Sequence, residues 1–147
     1  MLAGKIKYQD LQIYEHAHQF LLHVYKLTES FPSHEDKNIT SQLRRAVTSL
    51  PLNIAEGSGA LSFRMYLTFL IFAYRSCQET RACLRICLDL KYITQQQHEE
   101  AFAKLDLLTR KLFKYMQYVE GKADALKRQQ VYKYHRSDKG KSQLNGV

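Results

Sequence analysis

Residues 39–58 read ITSQLRRAVTSLPLNIAEGS, and this stretch decides the fold. Ile39, Leu43, Ala46, Val47, Leu50 and Ile54 recur at helical spacing and form one apolar stripe. Gln42, Arg45, Ser49, Asn53 and Glu56 fall together on a separate polar stripe. Pro51 interrupts the run and leaves the carbonyl of Val47 without its usual donor, which predicts a kink there. Asn53 is placed to satisfy that carbonyl, and Arg45 to pair with Glu56 directly or through neighbours. The polar stripe therefore reads as structural. Gly57-Ser58-Gly59 ends the helix.

Upstream, Ile13, Ala17, Phe20, Leu21, Val24, Leu27 and Thr28 repeat at the same period and predict a first helix from Asp10, closed by Phe31-Pro32. Ser33 with Asp36 resembles a capping box, so the second helix is expected to begin there. Downstream, Ser62 is the expected N-cap of a third helix running to about Lys91. Its first half, Tyr66 to Tyr74, is apolar nearly all round, so Tyr66, Phe69, Leu70, Phe72 and Tyr74 are expected to meet another copy of the chain. Thr94 with Gln97 forms a second capping box. The fourth helix buries Leu105, Leu108, Leu112, Met116 and Val119, and Gly121 ends it. The expected architecture is an all-α, up-down-up-down four-helix bundle over residues 1–121, followed by a basic, flexible tail over 122–147. With only two prolines and six glycines, a many-hairpinned β fold is excluded.

The 147 residues carry a net charge of +8. Residues 121–147 hold seven basic and two acidic side chains, a concentration that suits nucleic acid or another acidic surface, or else a solubility tail. No run is long enough to span a bilayer and no signal peptide opens the chain, so a cytoplasmic protein is expected, without membrane partners. Cys77, Cys83 and Cys87 form no CxxC and read as reduced, packed thiols. His16 and His23 share a helix face but lie about 10 Å apart along it, too far for one ion, so no metal is expected. Ser49 and Glu56 are similarly separated, and no histidine joins them. Neither an enzyme nor a cofactor is expected, since no phosphate loop, GxSxG or HExxH occurs.

The basic residues are the remaining candidates. Arg44, Arg81, Arg85, Arg110, Lys111 and Lys114 on the bundle, with Lys127, Arg128, Lys133 and Arg136 beyond it, are expected to hold phosphates. Tyr118, Tyr132 and Tyr134 are interleaved with them and suit stacking on unpaired bases. The alternative is a solvated face with internal pairs such as Arg85 with Asp89 and Arg75 with Glu79.

The stretch Gln42 to Ser58 resembles the signature of the four-helix-bundle proteins encoded in 23S ribosomal RNA intervening sequences. Tyr8-Gln9-Asp10-Leu11, Ala17, Phe31-Pro32, Ser76, Glu79 and Leu90-Lys91-Tyr92-Ile93 support it in the right order. The accessory variability determinant proteins of diversity-generating retroelements belong to the same superfamily. The resemblance implies a non-catalytic, basic protomer that assembles into a ring, typically a homopentamer, and binds RNA or cDNA. In the retroelement branch it implies service to a reverse transcriptase; the signature here looks closer to the ribosomal-insert type. Ala60-Leu61 departs from the polar residue usual after Gly59, and the basic tail exceeds what a minimal member needs.

Overall fold

A computed structural model describes the backbone of residues 6–142 and the side chains of residues 6–130 apart from Asp10. It contains α1 (Gln12–Thr28), α2 (Ile39–Ser58), α3 (Phe63–Asp89) and α4 (Gln95–Ser142). Short 3-10 turns at Tyr8–Asp10 and Ser33–Glu35 precede α1 and α2. No strand occurs among the described residues. Each helix packs on its neighbours in chain order, and α4 closes the ring against α1. The α2–α3 seam is the most extensive and the α1–α4 seam the least.

Caps explain where the helices start and stop. Ser62 Oγ accepts from the Met65 amide at 3.1 Å. Thr94 and Gln97 exchange side-chain-to-backbone bonds of 3.1 and 2.9 Å, a complete capping box. The expected Ser33–Asp36 box does not form. Glu35 does its work instead: one carboxylate oxygen accepts from the Ile39 amide at 3.4 Å and the other from the Tyr92 hydroxyl at 2.9 Å. That side chain ties the start of α2 to the α3–α4 turn. In the turn Lys91 adopts φ 62°, while Tyr92 and Lys91 donate to the carbonyls of Cys87 and Leu88, both at 2.9 Å. This is a Schellman closure with lysine where glycine is usual.

Helix α2 runs unbroken through Pro51. Asn53 donates to the carbonyl of Ser49 at 2.8 Å rather than to that of Val47. Arg45 donates to Gln42 at 2.9 Å, and the expected Arg45–Glu56 pair is not formed. Gly59 caps the helix as expected, but Gly57 has another task. A methyl group on Gly57 would stand 2.8 Å from both Phe69 Cβ and Tyr66 Cδ2, so glycine is what lets α2 and α3 approach this closely.

The core centres on Phe20, Val24, Leu43, Val47, Leu50, Ile54, Leu70, Leu84, Leu105 and Leu112. Tyr66 joins them, fully buried, its hydroxyl donating to that of Tyr115 at 3.2 Å. Two of the expected self-association residues, Tyr66 and Leu70, are thus core residues of the protomer. Bundle packing took up the apolar excess of α3. Phe72 alone of the five is well exposed, while Phe69 and Tyr74 are half-buried against Phe72 and Phe113. All three cysteines are buried, and burial pushes Cys77 up to about 11 and Cys87 to about 12.

Gly121 does not end α4. The helix continues to Ser142, because Lys122, Ala123, Ala125, Leu126, Lys127 and Arg128 favour helix strongly enough to carry one glycine. The Arg64–Asp124 pair, 3.8 Å, fastens the helix to α3, and residues 124–130 are exposed on every side. The expected boundary at residue 121 is therefore not a break in secondary structure. No described helix is long and apolar enough to cross a membrane.

Candidate nucleic-acid interface

The sequence treats the basic residues as one set; the structure divides them among three seams. Arg44 lies between α1 and α2, where its Nε donates to Thr28 Oγ1 at 2.9 Å and its guanidinium covers the Tyr25 ring. Arg81, Arg85 and Arg110 lie along α3 and α4. Arg81 and Arg110 share Asp106, at 3.9 and 3.2 Å, and Arg81 also covers Phe102. Arg85 pairs with Asp89 at 3.1 Å, as the helical spacing allows. The expected Arg75–Glu79 pair is not formed; Glu79 accepts from Gln42 instead. Much of the positive charge along α3–α4 is answered within the protomer.

The α1–α4 seam is different. Lys104, Lys111, Tyr115, Tyr118 and Lys122 recur along α4 at spacings that hold them on one stripe, with Lys114 beside it. Two open grooves of about 520 and 380 Å³ follow this seam. The first is lined by His16, His23, Lys26, Lys104 and Leu107, and the second by Gln12, Lys111, Lys114, Tyr115 and Tyr118. Among the described residues, none of Lys26, Lys104, Lys111, Lys114 and Lys122 joins an ion pair. Lys111 Nζ reaches Gln12 Oε1 at 3.4 Å, which holds it over the seam. Tyr118 is 55% exposed, stacks on Tyr115 at 5.9 Å and carries Lys122 over its face at 5.4 Å.

His23 reports the field of this furrow. Burial lowers its pKa below 6.5, Lys104 and Lys26 lower it further, and Glu100 opposes them. Its Nε2 is buried with no hydrogen-bond partner among the described residues. A cationic furrow with an exposed aromatic ring can hold successive phosphates and stack a base, with little reading of sequence.

Lys111 and Lys114 of the expected set belong to this furrow. Lys26, Lys104, Lys122 and His23 were missed by the sequence reading; the regular spacing of lysines on α4 was the signal for two of them. Lys127 and Arg128 are exposed on the part of α4 beyond the bundle, while the side chains of Tyr132, Lys133, Tyr134 and Arg136 lie outside the described residues. Within the polar stripe of α2, Gln42, Arg45, Ser49 and Asn53 make hydrogen bonds inside the protomer. Ser49 donates to Ser76 at 2.5 Å, and Gln42 to Glu79. Glu56 is exposed at its end. Among the described residues, no three of His, Cys, Asp and Glu converge on a point that could hold a metal ion.

Residues 9–114 match the protein family described as 23S rRNA-intervening sequence protein. The fold is similar to the crystal structure of a protein of unknown function from the S23 ribosomal protein family of Bacteroides thetaiotaomicron. The TM-score is 0.65 at 23% identity, over 71% of this chain and 97% of that one. No functionally curated protein matches the chain.

Proposed function

The chain belongs to the family of 23S rRNA-intervening sequence proteins, and from that premise we propose that it is a non-catalytic RNA-binding protein whose α1–α4 furrow holds the sugar–phosphate backbone. One observation carries the reading: four lysines without ion pairs among the described residues line two grooves along one seam, and a fifth, Lys122, covers the exposed Tyr118 ring there. Internally satisfied basic residues, as on α3–α4, support a solvated face; unanswered ones in a groove support a polyanion. The exposed continuation of α4 past Asp124 adds Lys127 and Arg128 beyond the bundle. Binding cDNA for a reverse transcriptase is the narrower form of the proposal. It rests on the superfamily resemblance alone, and the matched family favours the ribosomal-insert branch.

Self-association is the second part of the proposal. Met65, Ile71 and Phe72 expose 48%, 40% and 42% of their surface on one helix, and a second copy would cover them.

Fluorescence anisotropy with a single-stranded RNA across a salt series tests the main reading. Affinity should fall steeply with salt in the native chain and more shallowly once Lys104, Lys111 and Lys114 are changed to Glu. An adaptor with an acidic protein partner is favoured instead if the native chain fails to bind RNA at low salt.

A further inference from the structure

A second groove, between α1 and the start of α2, has a different chemistry from the lysine furrow. It has a volume of about 590 Å³ and is lined chiefly by Tyr25, Thr40, Ser41, Arg44, Arg45 and Thr48. We propose that it is a binding site for a phosphate monoester of the nucleotide class.

Arg44 is in place before any ligand arrives. Its Nε is held by Thr28 Oγ1, whose own hydroxyl donates to the Tyr25 carbonyl at 2.8 Å, and its plane rests 5.0 Å over the Tyr25 ring. These contacts leave the two terminal guanidinium nitrogens without a partner among the described residues. Two such nitrogens match two oxygens of one phosphate. Arg45 follows on the same helix, its guanidinium steadied by Gln42 Oε1 at 2.9 Å. Neither arginine joins an ion pair among the described residues.

Thr40 supplies an independent observation. It lies in the first turn of α2, is 2% exposed, lines the groove, and its hydroxyl has no hydrogen-bond partner among the described residues. A buried, unanswered hydroxyl is costly unless something enters to meet it. The positive end of a 20-residue helix points the same way, although the first of its amides, that of Ile39, already binds Glu35 Oε2.

The class of anion follows from the charges. Asp36 is the one acid among the described lining residues, so the groove carries two guanidiniums against one carboxylate. A monoester, doubly charged near neutral pH, gains more from two arginines than a singly charged diester does. The carboxylate suits a ligand with hydroxyls beside its phosphate, as a nucleotide has, and the volume accommodates one. The proposal stands apart from the lysine furrow, because α1 separates the two and either can fail alone.

Calorimetric titration of the full chain with AMP and with adenosine is the test. AMP should bind at least about tenfold tighter than adenosine, and R44K, which keeps the charge and loses the fork, should remove most of that preference. R45A, at an exposed position, should weaken AMP several-fold; it decides the matter if thermal melting shows that R44K has loosened the fold. The double furrow variant K111E/K114E should leave AMP binding within twofold. Equal affinity for AMP and adenosine, no AMP binding at millimolar concentration, or a loss confined to the furrow variant would each overturn the site. A short RNA with and without a 5′-phosphate separates the sources. A preference for the phosphorylated strand that R45A removes assigns the groove to strand ends. Indifference to the strand's phosphate, with AMP still preferred, assigns it to free nucleotides.

Discussion

Helix α4 borders two seams that use basic residues in opposite ways. Toward α3, Arg81 and Arg110 converge on Asp106 and Arg85 pairs with Asp89, so two carboxylates offset most of the charge of three guanidiniums. Toward α1, Lys104, Lys111 and Lys114 face grooves whose described lining holds no carboxylate. Both seams look alike in a count of charges. What separates them is whether an acid pairs with the cation: carboxylates contact the arginines, whereas Glu100, the acid felt by His23, makes no ion pair with the furrow lysines. Positive charge is therefore a property of residues, while a binding field is a property of what surrounds them.

The largest effect that could break this comparison is charge reversal in the furrow. Changing Lys104, Lys111 and Lys114 together to Glu should weaken single-stranded RNA binding by about 100-fold and lower the salt slope by about 2, read by anisotropy across a salt series. The same three reversals at Arg81, Arg85 and Arg110 are not the equivalent control, since they would also oppose Asp106 and Asp89. Neutralisation is the cleaner arm.

Next in size is a pH effect confined to the lysine side. In the folded chain His23 is held below 6.5, so between that lowered value and 6.5 the unfolded chain binds more protons. Stability should consequently fall as pH drops from about 6.5. Bound RNA adds negative charge beside the same ring and raises its pKa, so binding takes up a proton and tightens as pH falls. Between about pH 7.5 and 5.5 the tightening should be roughly threefold to tenfold, and H23Q should flatten it, as measured by binding in matched buffers.

Smaller still is the cost of opening the arginine side. R81A removes the Asp106 pair and the 4.9 Å contact over Phe102, and should destabilise the chain by about 1 kcal/mol in urea titration. RNA affinity should stay within twofold. Smallest is R85A: its exposed pair with Asp89 should contribute less than about 0.5 kcal/mol, and RNA binding should again be unmoved. If R81A or R85A lowers RNA affinity as much as the lysine variant, the two seams are not different in kind.

The likeness of the two seams in sequence explains how far the interface could be read in advance. Lys111 and Lys114 were singled out because they are basic, and so were Arg81, Arg85 and Arg110; the structure places the lysines in a groove and the arginines in ion pairs. Lys26 and His23 come from α1, some 80 residues before Lys104, and no local pattern joins them. The arginine groove was invisible for another reason. Arg45 reads as one member of a polar stripe, and only the buried hydroxyl of Thr40 beside it marks the place as unfinished.

What the sequence alone determined is whatever depends on neighbours along the chain. Apolar periodicity placed the four helices; the hydroxyl of Ser62 and the Thr94–Gln97 exchange set two of their starts; Gly59 set an end. Such interactions span three or four residues, so the residues themselves contain them. Tertiary structure decided everything that depends on approach between helices. It turned Tyr66 and Leu70 inward, made Gly57 a contact point instead of a stop, and drew Glu35 to Tyr92 across the bundle. It also chose which basic residues keep their charge unanswered. The physical reason is common to all of these: burial and ion pairing are set by distances through space, and those distances exist only once the helices have packed.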